Sequence, residues 1–362
     1  MKILSKCQPE LDSDSKKEMM NLKKLLRKNI QDLEPYSSAR DEYTGDAMVF
    51  LDANENPFNQ PYNRYPDPLQ RELKAKIAVL KNIDPANIFL GNGSDEPIDL
   101  LIRAFCEPET DNIVSMDPTY GMYRVAADIS GVELRKVSLT SDFQLDVKEL
   151  LAATDKRTKL IFLCSPNNPT GNSLDKSQML EVASNFDGLL IVDEAYIDFA
   201  PGKTLLSELE DFPNLVVLQT FSKAWGMAGI RLGMAFASTE IVAVLNKIKY
   251  PYNLNILTQQ KALELLGQKE QVNEWVKQLI SERKKMADEL VKFPFVVQVY
   301  PSDANFLLVK MHDARGIYEY LVEEGIIVRD RSKVYLCADS LRITIGSKEE
   351  NNTLLTTLKN LI

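Results

Sequence analysis

Short apolar runs recur along the middle of the chain, and polar segments with a helical pattern separate them. Between Asn87 and Ser238 these runs are NIFLG, NIVSM, VELRKVSL, KLIFLCS, LLIVDEA, LVVLQTF and GMAFAS. Runs of this length, rich in β-branched residues, are typical of strands that helices cover on both faces. The pattern therefore predicts an α/β domain with a mainly parallel, seven-stranded sheet.

A second pattern follows this region. Apolar residues recur at helical spacing and predict one long amphipathic helix that leads from one domain into another. The residues of this stripe are Val272, Trp275, Val276, Leu279, Ile280, Met286 and Leu290. Beyond the helix, the runs VVQVY, NFLLVK, GIIVRD and SLRITIG, with the helical segment ARGIYEYLVEEG among them, predict a smaller α+β domain.

The N-terminal region is more polar. We expect residues 1–19 to form a disordered extension, with Met20 as an alternative translation start. The helical segment NLKKLLRKNIQDLEP follows, and we expect residues 20–50 to form an arm that joins the small domain. The large domain is then expected over residues 51–255 and the small one over 256–362. A chain of 362 residues is long for a single core, which favours two domains that share a cleft.

The composition is that of an ordinary globular protein. Hydrophobic residues make up 44% and charged residues 26% of the chain, which argues against disordered, fibrous and coiled-coil proteins. The chain has 43 basic and 52 acidic residues, a net charge of −9. This balance disfavours nonspecific binding to nucleic acid or to an anionic membrane, and it leaves room for a local basic pocket.

The cysteine and histidine content excludes several kinds of catalytic and metal site. Cys7, Cys106, Cys164 and Cys337 are widely separated, so we expect reduced thiols in a cytoplasmic protein, with no metal site. No apolar run approaches the roughly 20 residues that span a bilayer, and we expect neither an export signal nor membrane binding. The single histidine, His312, argues against a Ser-His-Asp triad and a poly-His metal site. The chemistry must therefore use lysine, carboxylate, tyrosine or a cofactor.

Four polar motifs follow predicted strands, where open α/β sheets bind their ligands. In chain order they are GNGSDE at 91–96, SPNNPTG at 165–171, VDEAY at 192–196 and QTFSKAWGMAGIRLG at 219–233. The last motif places Lys223 at a turn among glycines that permit close backbone approach, with Arg231 eight residues later. A lysine at a strand end is usually a solvated charge, but this setting favours a phosphate-bearing cofactor.

In order and spacing, the four motifs resemble the aspartate-aminotransferase-like enzymes of fold type I, which use pyridoxal 5′-phosphate, over nearly the whole chain. The resemblance implies that Lys223 bonds to the cofactor aldehyde and moves protons, and that Asp193 keeps the pyridine nitrogen protonated. Tyr196, counted with these two as catalytic, and Asn168 would hydrogen-bond the phenolic oxygen of the ring. Tyr120, in DPTYGMY, would stack on the ring. Asn168 as a mere turn former and Tyr120 as a packing residue remain alternatives.

The same resemblance places the cofactor phosphate at a helix start. The backbone N–H groups of Ser94 and Asp95 would bind it, because a helix N-terminus offers unpaired donors and a favourable dipole. Ser222 and Arg231 would add a hydroxyl and a guanidinium.

Arginines indicate the substrate. Arg342, in LRITIG, matches the arginine that holds the substrate α-carboxylate, with Asn168 nearby, and this hold favours transamination over decarboxylation. Arg329 in GIIVRD and Tyr65 in NRYPD, together with LDANENPF and RITIGSKEEN, resemble the histidinol-phosphate aminotransferase family in particular. In that family Tyr65 comes from the neighbouring subunit of a homodimer and, with Arg329, contacts the substrate phosphate. Their alternatives are a packed turn residue and a surface ion pair.

The resemblance implies transfer of an amino group between glutamate and 2-oxoglutarate on one side and histidinol phosphate and imidazole-acetol phosphate on the other. Threonine-phosphate decarboxylase and aromatic-amino-acid aminotransferase are alternatives on the same scaffold. A non-enzymatic, cofactor-binding regulator is a third, although the chain carries no basic helix-turn-helix region and Lys223 would be idle in it.

Overall fold

The seven central apolar runs form one sheet in the computed structural model, which describes residues 22–36 and 49–362. The expectations for residues 1–19, Met20 and Cys7 lie outside these residues. The strands of this sheet are β1 Ile88–Asn92, β2 Asn112–Asp117, β3 Glu133–Ser138, β4 Thr158–Cys164, β5 Leu189–Asp193, β6 Leu215–Thr220 and β7 Leu232–Phe236.

The sheet has the order β1-β7-β6-β5-β4-β2-β3. All neighbouring pairs from β6 to β3 are parallel, and β7 is antiparallel to both of its neighbours. β5 and β6 are buried along their whole length, as expected for apolar strands between two helical layers. The predicted α/β fold with a mainly parallel sheet is confirmed. The carboxyl ends of β1, β2, β4, β5 and β6 therefore share one edge, where β7 begins.

Helices cover this sheet and continue into the rest of the chain. The α-helices are Leu22–Leu25, Lys28–Gln31, Arg71–Lys81, Asp95–Phe105, Met122–Ile129, Val147–Ala152, Lys176–Asn185, Thr239–Ile248, Ile256–Leu265, Lys269–Leu290, Ala314–Glu323 and Lys348–Lys359. Short 3₁₀ turns lie at Pro85–Asn87, Ile197–Phe199, Leu206–Glu208, Ala228–Ile230 and Leu266–Gln268. No helix among the described residues is long and apolar enough to cross a membrane.

The C-terminal strands form a second, antiparallel sheet in the order β10-β11-β9-β8. Its strands are β8 Val296–Val299, β9 Phe306–Met311, β10 Arg329–Asp330 and β11 Ser340–Thr344. The predicted strand GIIVRD is wrong in extent, because only its last two residues pair. Gly325, at φ +77°, follows the helix Ala314–Glu323, and Ile326 and Val328 pack on the small core before the chain reaches the sheet edge.

The long helix Lys269–Leu290 connects the two cores, as its apolar stripe predicted. Val272 belongs to the core of the large domain, whereas Met286 and Leu290 belong to the core of the small one. Trp275, which was assigned to the stripe, is 38% exposed. The core of the large domain also contains Ala262, so it extends past the boundary that we expected at residue 255.

The described part of the N-terminal arm, residues 22–36, packs on the large domain, whereas we expected the arm to join the small one. The Arg27 backbone N–H donates to the Ala104 carbonyl at 3.1 Å, and its side chain pairs with Glu107 at 3.1 Å. Lys247 donates to the Ile30 carbonyl at 2.7 Å. Arg27 is not helical, with φ −57° and ψ 141°, so the expected single helix is two short ones.

Candidate active site

A cavity of about 930 Å³ opens where the carboxyl ends of the parallel strands face the small domain. Eleven of the twelve predicted site residues line it: Ser94, Asp95, Tyr120, Asn168, Asp193, Tyr196, Ser222, Lys223, Arg231, Arg329 and Arg342. The motifs meet here because strands β1, β2, β4, β5 and β6 all end at this edge. His312, the single histidine, is not among the lining residues.

Tyr65 is the predicted site residue that does not line this cavity. Its ring stacks on Tyr252 with centroids 4.4 Å apart, and its backbone N–H donates to Glu55 at 2.6 Å. The side chain of Tyr65 is half-exposed. One chain therefore does not bring Tyr65 to its own cavity, and its contribution to a neighbouring site stays a prediction.

Lys223 lies at the turn that follows β6. The Gly226 N–H donates to the Lys223 carbonyl at 3.1 Å, and Gly226 has φ +65°, which closes the turn tightly. The walls of the cavity reduce the hydration of the Lys223 ammonium, which lowers its pKa, and the positive charge of Arg342 lowers the pKa further. A lowered pKa gives the amine the partly neutral character that a nucleophile and proton carrier needs.

Asp193 ends the buried strand β5 and is itself only 2% exposed. The Tyr123 hydroxyl donates to its Oδ2 at 2.8 Å, and the Ala195 backbone N–H donates to its Oδ1 at 3.1 Å. Burial raises the pKa of Asp193 to about 6, and these two hydrogen bonds oppose the rise. A buried carboxylate of this kind gains strongly from a cationic ring nitrogen beside it.

The loop before the helix Asp95–Phe105 forms a cradle for an anion. Gly93 has φ +75°, and a Cβ there would lie 2.5 Å from Arg231 Nη2. A Cβ at Gly233 would lie 2.2 Å from the Ser94 backbone nitrogen. Ser94 makes no side-chain capping bond, so the first backbone N–H groups of the helix are left for a ligand. Arg231 approaches Ser222 Oγ at 3.3 Å and Asp95 at 3.5 Å, which brings together all four predicted phosphate-binding residues.

Arg342 and Asn168 lie side by side in the wall of the same cavity. Arg342 Nη1 donates to Asn168 Oδ1, and the guanidinium lies 5.3 Å from the centroid of the Phe306 ring. Its Nε is buried and has no hydrogen-bond partner among the described residues. A buried donor without a partner is costly, so this guanidinium is suited to an incoming carboxylate.

Two tyrosines complete the walls between these anion sites. The Tyr120 hydroxyl donates to Asp95 at 3.1 Å, and its ring meets Tyr123 edge to face. Tyr196 is buried, which raises its pKa, and its ring lies 5.5 Å from Lys223 Nζ. Both side chains therefore line the cavity, and their contacts with a cofactor ring stay predictions.

The family model described as aminotransferase class I and II matches residues 43–358. A histidinol-phosphate aminotransferase from Parabacteroides distasonis is 59% identical over 343 residues, covering 95% of this chain and 99% of that one. The chain belongs to the histidinol-phosphate aminotransferase family. The predicted resemblance is therefore confirmed.

Two solved members of this family have the same fold. The structure of the enzyme from Clostridium acetobutylicum is 26% identical with a TM-score of 0.77, covering 83% of this chain and 91% of that one. The enzyme from Sinorhizobium meliloti, in complex with pyridoxal-5′-phosphate, is 25% identical with a TM-score of 0.75, covering 83% and 84%. Both confirm the fold-type-I architecture.

The residues of the cavity fit the pyridoxal 5′-phosphate that this aminotransferase family uses. The glycine cradle and Arg231 suit its phosphate, the buried Asp193 suits its ring nitrogen, and Lys223 suits its aldehyde. These three features lie in one cavity, and each matches a different chemical group of the cofactor.

Sequence reasoning missed two residues of this site. Tyr123, which bonds Asp193, lies three residues after Tyr120 in the motif DPTYGMY, at the start of the helix Met122–Ile129, so this second tyrosine was a usable signal. Arg331 also lines the cavity, two positions after Arg329. Strand alternation places such residues on one face, and this was the available signal.

Proposed function

We propose that this protein is a pyridoxal-phosphate-dependent transaminase that converts imidazole-acetol phosphate to histidinol phosphate in histidine biosynthesis, with glutamate as amino donor. The observation that carries this proposal is the presence, in one cavity, of Lys223 and Asp193 together with two arginine-bearing anion sites. The 59% identity to a histidinol-phosphate aminotransferase supports the choice of substrate over the decarboxylase and aromatic alternatives.

Each cavity residue has a distinct task in the proposed reaction. When bound, pyridoxal 5′-phosphate supplies an electron sink for the carbanion at the substrate Cα. Lys223 Nζ removes the Cα proton and returns a proton to the cofactor side, as a general base and acid. The ionised Asp193 holds a proton on the ring nitrogen. In glutamate, Arg342 binds the α-carboxylate and fixes the orientation of the Cα–H bond. Histidinol phosphate has no α-carboxylate, and its phosphate-bearing carbon takes that place beside Arg342.

One pocket must accept two different anions, a phosphate and a side-chain carboxylate, because both substrates react at the same lysine. Arg329 lines this pocket, and a guanidinium binds a phosphate and a carboxylate equally well in geometry. We propose that Arg329 binds the phosphate of histidinol phosphate and the side-chain carboxylate of glutamate in turn. Its exposed position at the cavity wall leaves it accessible to either anion.

We further propose a cytoplasmic homodimer in which Tyr65 reaches the cavity of the neighbouring subunit. Large apolar side chains are exposed along the segment that carries Tyr65: Leu51 is 90% exposed, Phe58 75% and Tyr62 60%. Exposed apolar residues clustered in this way are typical of an interface. The buried free thiols of Cys106 and Cys164 agree with a reducing compartment.

In the test, the purified holoenzyme is incubated with 2-oxoglutarate and one of three amino donors: histidinol phosphate, O-phosphothreonine or phenylalanine. We expect glutamate to form rapidly with histidinol phosphate, together with a change in the absorption band of the lysine-bound cofactor. Release of carbon dioxide from O-phosphothreonine would favour the decarboxylase, and an equal rate with phenylalanine would favour an aromatic aminotransferase.

A further inference from the structure

Three arginines share one face at the edge of the small sheet. Arg329 of β10 lies opposite Arg342 of β11 in the antiparallel register, so their side chains lie on the same face. The Arg331 backbone N–H donates to the Ser340 carbonyl at 2.9 Å, which continues the ladder by one more pair. Alternation along the strand therefore places Arg331 on the face of Arg329, and all three line the cavity.

Arg331 has no acidic partner among the described residues. Asp330 pairs with Arg315 at 3.4 Å and accepts a hydrogen bond from the Ser332 N–H at 2.8 Å. Arg331 is half-buried, and its Nε is enclosed and makes no hydrogen bond within the described part of the chain. Burial and the neighbouring charges of Arg342 and Arg329 lower the pKa of Arg331 to about 10. An enclosed, unpaired guanidinium of this kind needs an anion.

The cavity as a whole has an excess of positive charge. Its lining includes seven basic and three acidic side chains, although the whole chain has a net charge of −9. The cofactor phosphate is matched by Arg231 with the helix start. Glutamate presents its α-carboxylate to Arg342 and its side-chain carboxylate to Arg329. Histidinol phosphate has no α-carboxylate, because the carbon that bears its phosphate stands in that place. Its phosphate, with three acceptor oxygens and a charge between −1.5 and −2 near neutral pH, therefore faces the row of arginines. Of the other basic lining residues, Lys136 pairs with Asp117 at 3.3 Å and Lys333 is exposed, whereas Arg331 is enclosed and without a partner among the described residues.

We propose that Arg331 is a further guanidinium that binds the substrate phosphate, together with Arg342 and Arg329. This inference rests on the proposed function and adds a source of selectivity to it. Each carboxylate of glutamate has two oxygens and one charge, which Arg342 and Arg329 balance singly, whereas the phosphate has a third oxygen and up to two charges in one group. Arg331 therefore contributes more to the binding of the phosphorylated substrate than to the binding of glutamate.

The experiment compares the holoenzyme with its Arg331→Gln and Arg331→Lys variants. For Arg331→Gln we expect kcat/KM for histidinol phosphate to fall by about 10- to 100-fold, as for loss of a charged hydrogen bond, and kcat/KM for glutamate to fall by less than about 3-fold. Arg331→Lys should give an intermediate loss of kcat/KM for histidinol phosphate, because lysine keeps the charge but cannot donate the two parallel hydrogen bonds of a guanidinium. The matched control is Arg157→Gln, at an exposed arginine beside the start of β4, the end of the strand remote from the cavity.

A second readout does not depend on turnover. Inorganic phosphate should shift the absorption of the bound cofactor in the wild type, and Arg331→Gln should weaken this phosphate binding by a similar factor. Equal losses for both substrates, or phosphate binding unchanged by Arg331→Gln, would overturn the inference. If the Gln variant does not fold, the same comparison between the two substrates is made with Arg331→Lys.

The two proposals fail in distinguishable ways. A wild-type enzyme that does not transaminate histidinol phosphate overturns the proposed function, whatever the variants do. A wild-type enzyme that does so, with an Arg331→Gln variant that keeps its preference between the two substrates, overturns the role of Arg331 only.

Discussion

The Asp193 carboxylate lies at the end of an apolar strand, where its charge is poorly hydrated. Its folded-state pKa of about 6 is above the usual 3.8, so the folded protein holds the proton more tightly than the unfolded chain. One pH unit of pKa difference corresponds to about 1.4 kcal/mol. Ionised Asp193 therefore destabilises the cofactor-free fold by about 3 kcal/mol above pH 6, and this cost disappears as the pH falls below 4.

The upward shift of the Asp193 pKa gives a prediction for the Asp193→Asn variant. In urea unfolding of the cofactor-free protein, the stability of the variant relative to the wild type should improve by about 2 to 3 kcal/mol between pH 4 and pH 7.5. The amide has no charge to bury, so only the wild type loses folding stability at the higher pH. A difference between the two proteins that does not vary with pH would contradict the assigned pKa.

The sequence predicted single residues well where a family motif fixes their spacing. Asp193 ends β5, Lys223 comes three residues after β6 and Arg231 comes just before β7, so the topology of the sheet brings them together at one edge. Arg331 was not predicted, because its part in the site depends on the register between β10 and β11 and on the lack of a partner for its Nε among the described residues. Spacing along the chain places Arg331 on the face of Arg329, but it reveals neither of these two properties.

At the scale of elements, the junction of β1 with β7 determines the shape of the phosphate cradle. Gly91 lies opposite Gly233 in the register of these strands. The loop that follows β1 folds back over Gly233, where a side chain would collide with the Ser94 backbone nitrogen at 2.2 Å. The cradle thus depends on a position without a side chain, and backbone atoms cannot yield as a flexible side chain can.

We predict that Gly233→Ala displaces the Ser94 loop and weakens cofactor binding by about 1 to 3 kcal/mol, the usual cost of overpacking. The measurement is the dissociation constant of pyridoxal 5′-phosphate, from its absorption during titration of the cofactor-free protein. Gly229→Ala is the matched control, since a Cβ there meets nothing within 4 Å. Equal affinities in the two variants would show that close approach at Gly233 is unimportant.

The sequence predicted the bounds of some elements better than those of others. Most strands of the large sheet were predicted because they are short apolar runs that are buried along most of their length. The edge strand β3 is the exception, since it carries three charged residues and is only partly buried. The edge strand β10 was predicted too long, since Ile326 and Val328 are apolar for packing on the small core and not for pairing in a sheet. The N-terminal helix was predicted as continuous, since its break at Arg27 comes from tertiary contacts with Ala104 and Glu107.

At the scale of the whole molecule, the proposed dimer has a sharp test by complementation. Lys223→Ala should leave a homodimer with turnover reduced by about 10³-fold or more, because it lacks the proton carrier. Tyr65→Ala should bind histidinol phosphate weakly in both of its sites. In a heterodimer of the two variants, one site combines the Lys223 of one chain with the Tyr65 of the other.

Co-expression with two different affinity tags and purification over both isolates this heterodimer. At low histidinol phosphate concentration, we expect it to have about half of the wild-type activity, because one of two symmetric sites is intact. If each chain used its own Tyr65, both sites of the heterodimer would be defective and no activity would return. A Lys277→Ala chain, changed at an exposed lysine, replaces the Lys223→Ala chain in the control.

The row of arginines on the small sheet has a consequence for how this protein is handled. Without a bound anion, the charges of Arg329, Arg331 and Arg342 repel one another. Any small anion that binds between them therefore stabilises the folded chain by mass action. Phosphate or sulfate in a purification buffer thus acts as a ligand, raising the melting temperature and competing with substrate. Apparent differences in stability or affinity between preparations will reflect the buffer anion as much as the protein.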